Sequence, residues 1–367
     1  MLNTIWPIAA ELKEEIMRID CDAHVDESEA TWDYLEEGES RFRPVLLDSA
    51  AQEKFAYVQG FTSGDNRPHR IWLLADGTVR LRRFREDEKQ GTTEGTRTLT
   101  DVDQRLRHMD EMGIDIQVLY RPSFFASPVS AVPELEVALC RAYNRWIGNA
   151  TANSHGRLRW VAIPPLLDMD RAVDEIRWAK DHGACGVMKK GFEHGRAASD
   201  PYFFPLYEEA SHLDLPICIH TGFGDPDRRS GFGGTANAIS AFTDLVRAQV
   251  PARFPELRVG WIETGASWVP YLCHELFDRP AVAGSMDQDF FTRNRFYVAC
   301  EPTDDLPYIL KFGTEDCMMV GTDYGHNDRS TDLRAIQEIE EQGERAEIPA
   351  RVARKIVDDN PRRFYGL

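Results

Sequence analysis

The sequence predicts an α/β protein, a (β/α)8 TIM barrel with a large insertion after its first strand. Eight short apolar runs rich in β-branched residues recur along the 367 residues. Longer segments with apolar residues at three- and four-residue spacing lie between these runs. This alternation is typical of parallel strands joined by crossover helices, and the chain has room for eight such units. We therefore expect a single barrel domain over residues 1–367.

Each predicted strand is a short apolar run, and each predicted helix shows an apolar stripe of helical period. In chain order the strands are Ile19–Val25, Ile114–Arg121, Leu158–Pro164, Gly186–Lys190, Pro216–Thr221, Leu257–Glu263, Arg295–Cys300 and Met318–Asp323. The helices include Ile8–Met17 before the barrel, then Asp101–Met112, Leu135–Asn153, Asp170–His182, Phe204–Leu213, Ala238–Val250 and Ser330–Glu341.

The insertion covers residues 26–98, between the first and second strands. Within it, Ile71–Leu81 predicts a hairpin that turns at Asp76-Gly77. A segment that follows a barrel strand emerges at the C-terminal face, where barrel active sites lie, so we predict that the insertion forms a lid or a pocket wall. A surface decoration away from the site is the alternative. A glycine-rich loop over residues 221–234 follows the fifth strand and is predicted to lie over the same opening.

The charge balance argues against two classes of partner. The chain carries 43 Lys and Arg against 61 Asp and Glu, a formal net charge of −18. An acidic surface repels nucleic-acid phosphates and anionic membranes, and no run of five or more basic residues offsets it. We therefore expect a small-molecule substrate, no nucleic acid and no membrane.

The cysteines and the first residues predict a cytoplasmic protein. Seven cysteines without a C-x-x-C pair are typical of buried thiols in a reducing compartment. The first twenty residues lack the basic start and the long apolar stretch of a signal peptide. No uncharged apolar run approaches the roughly 18 residues that span a bilayer.

Metal-binding residue types stand at the ends of three predicted strands. Asp22 and His24 share one face of the first strand, about 7 Å apart by the rise per residue. The fifth strand ends on His220, and the eighth ends on Asp323. Each signal alone has a structural alternative, such as a hydrogen-bonded histidine or a helix-capping aspartate. Together, at one rim of a barrel, these carboxylate and imidazole groups suit a divalent metal such as zinc or manganese.

These strand ends and several further motifs resemble the amidohydrolase superfamily, in the branch that contains aminocarboxymuconate-semialdehyde decarboxylase. The similarity covers all eight strands and departs mainly in residues 26–98. The motifs that carry it are Asp22-Ala23-His24, the passage from Arg105 to Asp115, Asp200-Pro201-Tyr202-Phe203-Phe204-Pro205-Leu206-Tyr207, Leu215–His220, Glu263–Trp268, Gly321-Thr322-Asp323-Tyr324-Gly325-His326 and Asn360-Pro361-Arg362-Arg363-Phe364-Tyr365.

The resemblance implies one divalent metal ion held by Asp22, His24, His220 and Asp323. Zinc is the first expectation and manganese the alternative. Other branches bridge two metals with a carboxylated lysine at the fourth strand, which here would require Lys189 or Lys190. Relatives commonly form closed assemblies, so a homodimer or larger homo-oligomer is expected.

Glu263 decides between two activities. Decarboxylases of the branch usually carry a histidine where this chain has Glu263, at the end of the sixth strand. We therefore expect a metal-dependent hydrolase that uses a metal-activated water on a C–N or C–O bond of a small cyclic or aromatic carboxylated compound. Asp323 and Glu263 are its predicted catalytic residues, with Glu263 as a general acid or base, although it also fits an orienting partner or a helix cap. The alternative is a non-oxidative decarboxylase of an aromatic or enol acid. A hydratase and a scaffold without activity are further possibilities.

Five residues near the strand ends are predicted to contact the substrate. Arg121 and Lys189 offer cations to a carboxylate, although a salt bridge on the rim is equally consistent with Arg121. Trp32, Phe223 and Trp268 follow ligand-bearing strands and are predicted to form an aromatic wall, with packing between loops as the alternative. His326 lies just after Asp323 and is a further candidate base.

Overall fold

Eight parallel strands form a nearly closed barrel, which confirms the predicted fold. The structure is a computed structural model that describes residues 16–47, 70–82, 91–222, 233–277, 287–326 and 331–367. The barrel strands are β1 (Ile19–His24), β2 (Ile116–Tyr120), β3 (Leu158–Ala162), β4 (Ala184–Lys189), β5 (Ile217–His220), β6 (Val259–Ile262), β7 (Phe296–Cys300) and β8 (Met318–Val320). Each pairs in parallel with the next, from β1 to β8.

Helices alternate with these strands and surround the barrel. The α-helices in the described part are Glu94–Arg97, Val102–Glu111, Pro133–Thr151, Met169–Asp181, Phe204–His212, Gly233–Arg247, Val250–Arg253, Trp268–Phe277, Phe290–Arg293, Leu306–Ile309, Ala335–Glu344, Ala350–Arg354 and Asn360–Tyr365. Short 3-10 helices cover Glu29–Tyr34, Ser40–Phe42, Ser123–Phe125, Pro201–Phe203 and Leu310–Phe312, and a π-helix covers Lys355–Asp359.

Local sequence signals set several of the helix starts. The Asp101 carboxylate accepts a hydrogen bond from the backbone N–H of Gln104 at 2.8 Å, and Asp168 accepts one from Arg171 at 3.1 Å. Each bond satisfies an N–H group that has no partner within its helix. The predicted helix Ile8–Met17 lies mostly outside the described residues.

The predicted hairpin is present in the insertion. Strands Arg70–Leu73 and Val79–Arg82 pair antiparallel, and Gly77 adopts a positive φ of 83° at the turn. A third strand, Val45–Leu47, which the sequence did not predict, adds to its edge. Because residues 48–69 and 83–90 lie outside the described part, the lid or wall over residues 26–98 stays a prediction.

The C-terminal helix Asn360–Tyr365 packs against residues of three barrel strands. The Tyr365 hydroxyl donates to the Cys21 carbonyl at 2.7 Å and lies 2.6 Å from the Tyr120 hydroxyl. The ring of Phe364 is seated against Gly260, where a Cβ atom would come within 2.4 Å of it. The C-terminal segment therefore packs on its own barrel.

The barrel closes between β8 and β1 with few backbone contacts. The pair Ala23 and Tyr324 forms an isolated bridge, in which His24 N–H donates to the Tyr324 carbonyl at 2.7 Å. Asp323 N–H donates to the Asp22 carbonyl at 2.9 Å. A Cβ atom on Gly321 would come within 2.5 Å of Asp22 Cβ, so this close approach requires glycine.

The cysteines are placed as the sequence predicts. All seven cysteines are free and buried. Within the described segments, no helix combines the length and apolar character needed to cross a bilayer.

Candidate metal centre

Four side chains at the C-terminal ends of three barrel strands point toward one another. Asp22 and His24 belong to β1, His220 ends β5, and Asp323 follows β8. His24 Nε2 lies 3.4 Å from Asp22 Oδ1 and 3.0 Å from Asp323 Oδ1. His220 Nε2 lies 3.5 Å from Asp22 Oδ1. Asp22, His24 and His220 therefore converge, Asp323 joins them through His24, and each of these four predicted ligands is at most 5% exposed.

Backbone carbonyls determine which nitrogen of each imidazole faces this cluster. His24 Nδ1 lies 2.8 Å from the Arg121 carbonyl, and His220 Nδ1 lies 3.0 Å from the Thr221 carbonyl. A carbonyl oxygen only accepts hydrogen bonds, so both Nδ1 atoms carry the hydrogen. Both Nε2 atoms therefore present a lone pair, which is the arrangement of a metal-ligating histidine.

Three buried atoms of the cluster are available to bind a cation. Among the described residues, Asp22 Oδ1, His24 Nε2 and His220 Nε2 have no hydrogen-bond partner. A buried polar atom without a partner costs about 1–3 kcal/mol, and here three such atoms converge. A divalent cation would satisfy all three, and nitrogen and oxygen donors suit both zinc and manganese.

The pKa shifts of these groups fit the same interpretation. Burial raises the pKa of Asp22 well above its usual range, so a nearby cation would favour its ionised form. Burial lowers the pKa of His220 to about 4 and also lowers that of His24. Both imidazoles are therefore neutral at neutral pH, as metal binding requires.

Glu263 and Asp323 share a strained backbone conformation. Their φ angles are 56° and 51°, in the left-handed region that L residues rarely adopt. Such a conformation costs on the order of 1–3 kcal/mol and persists where the surroundings hold it in place. Glu263 directly follows β6 and Asp323 comes three residues after β8, so this conformation occurs just beyond the end of each strand.

The Glu263 side chain joins the cluster rather than a helix end. Its Oε2 accepts a hydrogen bond from Thr221 Oγ1 at 2.6 Å and lies 3.3 Å from His220 Nδ1. Asp304, instead, accepts from the Ala266 N–H at the start of the following helix, at 2.9 Å. The helix-cap interpretation of Glu263 is therefore not supported.

His326, a further candidate base in the sequence, also lies beside this cluster. Its Nδ1 lies 2.8 Å from Asp323 Oδ1 and 3.6 Å from Glu263 Oε1. Its ring stacks on that of His24 with centroids 3.7 Å apart. The sequence shows that Asp323 and His326 lie three residues apart on one loop. Only the fold shows that Glu263 lies close to them.

Glu263 and His326 form an ion pair in the metal-free protein. Burial and the charge of Asp323 oppose ionisation of Glu263, but His220 and His326 outweigh them and lower its pKa to about 2. Burial opposes the charge on His326, but Asp323 and Glu263 raise its pKa to about 9. At 16% exposure the Glu263 side chain is more open than the four predicted ligands, so the pair lies on the accessible side.

Arg121 lies beside the ligands, as expected for a substrate-binding cation. Its carbonyl accepts the hydrogen bond from His24 described above, and its guanidinium donates to the Thr221 carbonyl at 2.7 Å. Its charge contributes to the low pKa of His220. Substrate contact by Arg121 stays a prediction.

The structure does not bring Lys189 into the cluster. Its ammonium lies 3.8 Å from the centroid of the Phe203 ring and donates to the Lys190 carbonyl at 3.1 Å. Neighbouring residues of a strand face opposite sides, and Lys189 faces the helical layer that contains Phe203. This position does not support the predicted contact of Lys189 with substrate, which stays untested.

The predicted aromatic wall is largely packing. Trp32 lies buried against Phe124, with ring centroids 4.7 Å apart. Trp268 donates to the Gly265 carbonyl at 2.8 Å and packs on Phe242. Both placements agree with the alternative of packing between loops. Phe223 lies outside the described residues, together with most of the glycine-rich loop.

The family model described as "Amidohydrolase" matches residues 19–367. The γ-resorcylate decarboxylase of Rhodococcus jostii is 32% identical over 136 residues, which are 34% of this chain and 40% of that enzyme. The 2-amino-3-carboxymuconate-6-semialdehyde decarboxylase of Dictyostelium discoideum is 24% identical over 58% of each chain. The matched segments thus span less than two thirds of these curated relatives.

A solved structure shares the fold over nearly the full length. The dihydroxybenzoic acid decarboxylase of Polaromonas sp., solved with manganese and 2-nitroresorcinol, superimposes with a TM-score of 0.65 at 17% identity. The match covers 96% of this chain and 98% of that one. The family match and the named relatives indicate an enzyme, and the names favour the predicted alternative, a decarboxylase, over the hydrolase.

Proposed function

Because this chain belongs to the amidohydrolase family, we propose that it is a metal-dependent carboxy-lyase that releases CO2 from a small aromatic or enol acid. The observation that carries this proposal is the convergence of Asp22 Oδ1, His24 Nε2 and His220 Nε2, three buried atoms without hydrogen-bond partners. The relatives named above, all decarboxylases, support this activity over hydrolysis.

One divalent ion fits the site, with Asp22, His24, His220 and Asp323 as its ligands. When bound, it supplies positive charge that orients an anionic substrate and stabilises the charge that develops as CO2 leaves. Zinc and manganese both suit these donors. The manganese in the Polaromonas enzyme makes that metal the first one to test.

The pair of Glu263 and His326 is the proposed source of the proton. Decarboxylation breaks a C–C bond, and the carbon that loses CO2 keeps the electron pair and takes a proton. His326 Nδ1 is held between Asp323 and Glu263, and Glu263 faces the open side of the cluster. A positioned acid of this kind contributes about 100- to 10,000-fold to a proton-transfer step. Asp323 holds the imidazolium by its charge.

The described part of the insertion supports the proposal that residues 26–98 form a wall of the pocket. Glu27, three residues after His24, accepts a hydrogen bond from Trp72 Nε1 in the hairpin at 2.8 Å. Arg80 donates to the Val129 carbonyl, in the segment that follows β2, at 2.9 Å. These bonds attach the hairpin to loops at the C-terminal ends of β1 and β2. A homo-oligomer stays a prediction.

The test is CO2 release by metal-loaded protein. Purified protein is reconstituted with Mn2+ or Zn2+ and incubated with γ-resorcylate, related ortho-hydroxybenzoates, cyclic amides and lactones. We expect CO2 and the corresponding phenol, with deuterium at the vacated carbon when the solvent is D2O. An Asp323→Asn/His220→Ala variant should bind little metal and release no CO2. Opening of an amide or lactone without CO2 would establish the hydrolase instead.

A further inference from the structure

The seam between β8 and β1 carries three of the four proposed ligands. Asp22 and His24 lie on one side of it and Asp323 on the other. Over the described residues, the seam has the single bridge between Ala23 and Tyr324, whereas every other neighbouring pair of strands is joined by a ladder. The backbone alone therefore fixes the relative position of these ligands less firmly than it does elsewhere in the barrel.

A buried carboxylate, Asp20, crosses this seam. It is fully buried and accepts hydrogen bonds from the backbone N–H of Thr322 at 2.9 Å and from the Thr322 hydroxyl at 2.6 Å. It also accepts from the side chain of Gln117 on β2 at 2.8 Å and from Asp22 N–H at 3.3 Å. One side chain thus joins the residue before Asp323, the residue Asp22 and the neighbouring strand.

Arg105 continues this network to the other side of Asp323. Its Nε donates to Gln117 Oε1 at 2.7 Å, and its Nη1 donates to the His24 carbonyl at 3.3 Å. Its guanidinium carbon lies 3.6 Å from the centroid of the Tyr324 ring. Asp323 therefore stands between two residues that are held by side chains, Thr322 through Asp20 and Tyr324 through Arg105.

The hydrogen bonds of this network can be donated in only one order, from Arg105 to Gln117 and from Gln117 to Asp20. A guanidinium only donates and a carboxylate only accepts, so Gln117 must turn its oxygen to Arg105 and its amide nitrogen to Asp20. Gln117 has no second orientation that satisfies both neighbours. The hydrogen bonds of Asp20 and Gln117 in this network are all made, whereas Arg105 Nη2 has no partner. A buried network of this kind favours a single arrangement of the groups attached to it.

We propose that Asp20, Gln117 and Arg105 form a positioning network that holds the ligand-bearing ends of β1 and β8 at the spacing that metal binding needs. The proposal rests on the proposed metal centre. The network holds the strained backbone of Asp323 in place from both sides, so the carboxylate is directed at His24 before a metal arrives. These residues position the ligands and touch neither metal nor substrate.

The first variant is Asp20→Asn, which keeps the size of the side chain and breaks the donor order. The new amide would face the amide nitrogen of Gln117, donor against donor. We expect Mn2+ affinity, measured by calorimetry and by the EPR signal of free Mn2+, to fall about 10- to 100-fold, as for other partners that orient metal ligands. In metal-free protein, we expect faster amide hydrogen exchange over residues 318–326.

A second variant restores the donor order. In Asp20→Asn/Gln117→Glu, the introduced carboxylate accepts from both Arg105 and the new amide, and the formal charge of the network is unchanged. We expect Mn2+ affinity and amide protection to return most of the way to the parent values. Rescue would tie the loss to the order of donors and acceptors rather than to the absence of a carboxylate at position 20.

Glu175→Gln is the matched control. Glu175 is a buried carboxylate that accepts from Asn144 at 3.0 Å and from Arg145 at 2.7 Å, in the helical layer around β3. The same exchange of carboxylate for amide there should leave Mn2+ affinity unchanged, even where it lowers the melting temperature.

The outcomes separate this inference from the proposed function. Unchanged exchange over residues 318–326 in Asp20→Asn overturns the network, whatever the metal does. Faster exchange with unchanged Mn2+ affinity overturns its positioning role. A parent protein that binds neither Mn2+ nor Zn2+ overturns the metal centre and, with it, the positioning role, while the exchange data still decide whether the network holds the seam.

Discussion

At the scale of single residues, Glu263 is the side chain on which the activity most depends. It contacts Thr221, His220 and His326 but is more exposed than the proposed ligands. Glu263→Gln keeps the size of the side chain and an acceptor for Thr221, but it removes the charge that holds His326. We expect metal content to stay at the parent level while kcat falls about 100- to 10,000-fold. Metal content and steady-state rates, measured on the same preparation, test this prediction.

Loss of metal from Glu263→Gln would contradict this assignment. It would show that Glu263 is a ligand, because donor atoms of Glu263, Asp22, His24 and His220 all lie within 4.8 Å of one another. Glu301→Gln, at an exposed carboxylate after β7, is a suitable control for the general effect of removing a negative charge from the opening.

Lys189 gives a second prediction, on stability. Burial lowers its pKa from 10.5 to about 8, although Glu193 partly offsets this effect. Between these two values the unfolded chain holds a proton that the folded protein has lost, so the contribution of Lys189 to stability rises as pH increases from about 8 to about 10.5. Below pH 8 the folded protein bears the full cost of burying the charge.

Lys189→Met should remove this rise. Urea unfolding at pH 7, 8, 9 and 10 measures it, with Lys311→Met at an exposed position as the control. A variant with the same pH dependence as the parent would refute the buried-amine assignment. KM should also stay at the parent value, because the ammonium packs on Phe203 and not in the cluster.

These residues show what the sequence reveals at this scale. The ligand positions are predictable because parallel strands end at one rim and alternate residues share a face, as for Asp22 and His24. The position of Lys189 is not predictable, because a shift of one residue along the strand places a side chain on the opposite face of the sheet. The partnership of Glu263 and His326 joins two loops 63 residues apart and requires the folded barrel.

At the scale of elements, the C-terminal helix and β6 meet at one position. A methyl group added at Gly260 would lie 2.4 Å from the ring of Phe364. We expect Gly260→Ala to destabilise the protein by about 1–3 kcal/mol, the usual cost of overpacking. Phe364→Leu in the same background should recover part of that loss, and urea unfolding of the two single variants and the double variant measures the coupling. Strictly additive effects would contradict the contact.

Strand positions were easier to predict than the elements outside the barrel. All eight predicted strands are present, with ends that differ by at most three residues, because the apolar runs mark what the barrel buries. The edge strand Val45–Leu47 has no comparable signal, since it is half-exposed and its partner is distant in sequence. The π-helix Lys355–Asp359 likewise has no signal of its own, because apolar spacing does not distinguish it from an α-helix.

At the scale of the whole molecule, metal binding should stabilise the fold. The cluster draws ligands from β1, β5 and β8, so a bound ion favours the folded state over the unfolded chain. Mn2+ at 100 times its Kd should add about 2.7 kcal/mol to the free energy of unfolding. Thermal unfolding with and without Mn2+ measures this, and the Asp323→Asn/His220→Ala variant should show no shift. An equal shift in that variant would place the ion elsewhere.

The closure of the seam between β8 and β1 also determines when the metal centre can form during protein synthesis. Asp20 and Thr322 are 302 residues apart in sequence, and they meet only after the last barrel strand has formed. Closing a loop ten times longer costs about 2 kcal/mol more, so this junction is among the late contacts of folding. A nascent chain on the ribosome carries Asp22, His24 and His220 long before Asp323, and it holds an incomplete set of donors until translation has passed the eighth strand.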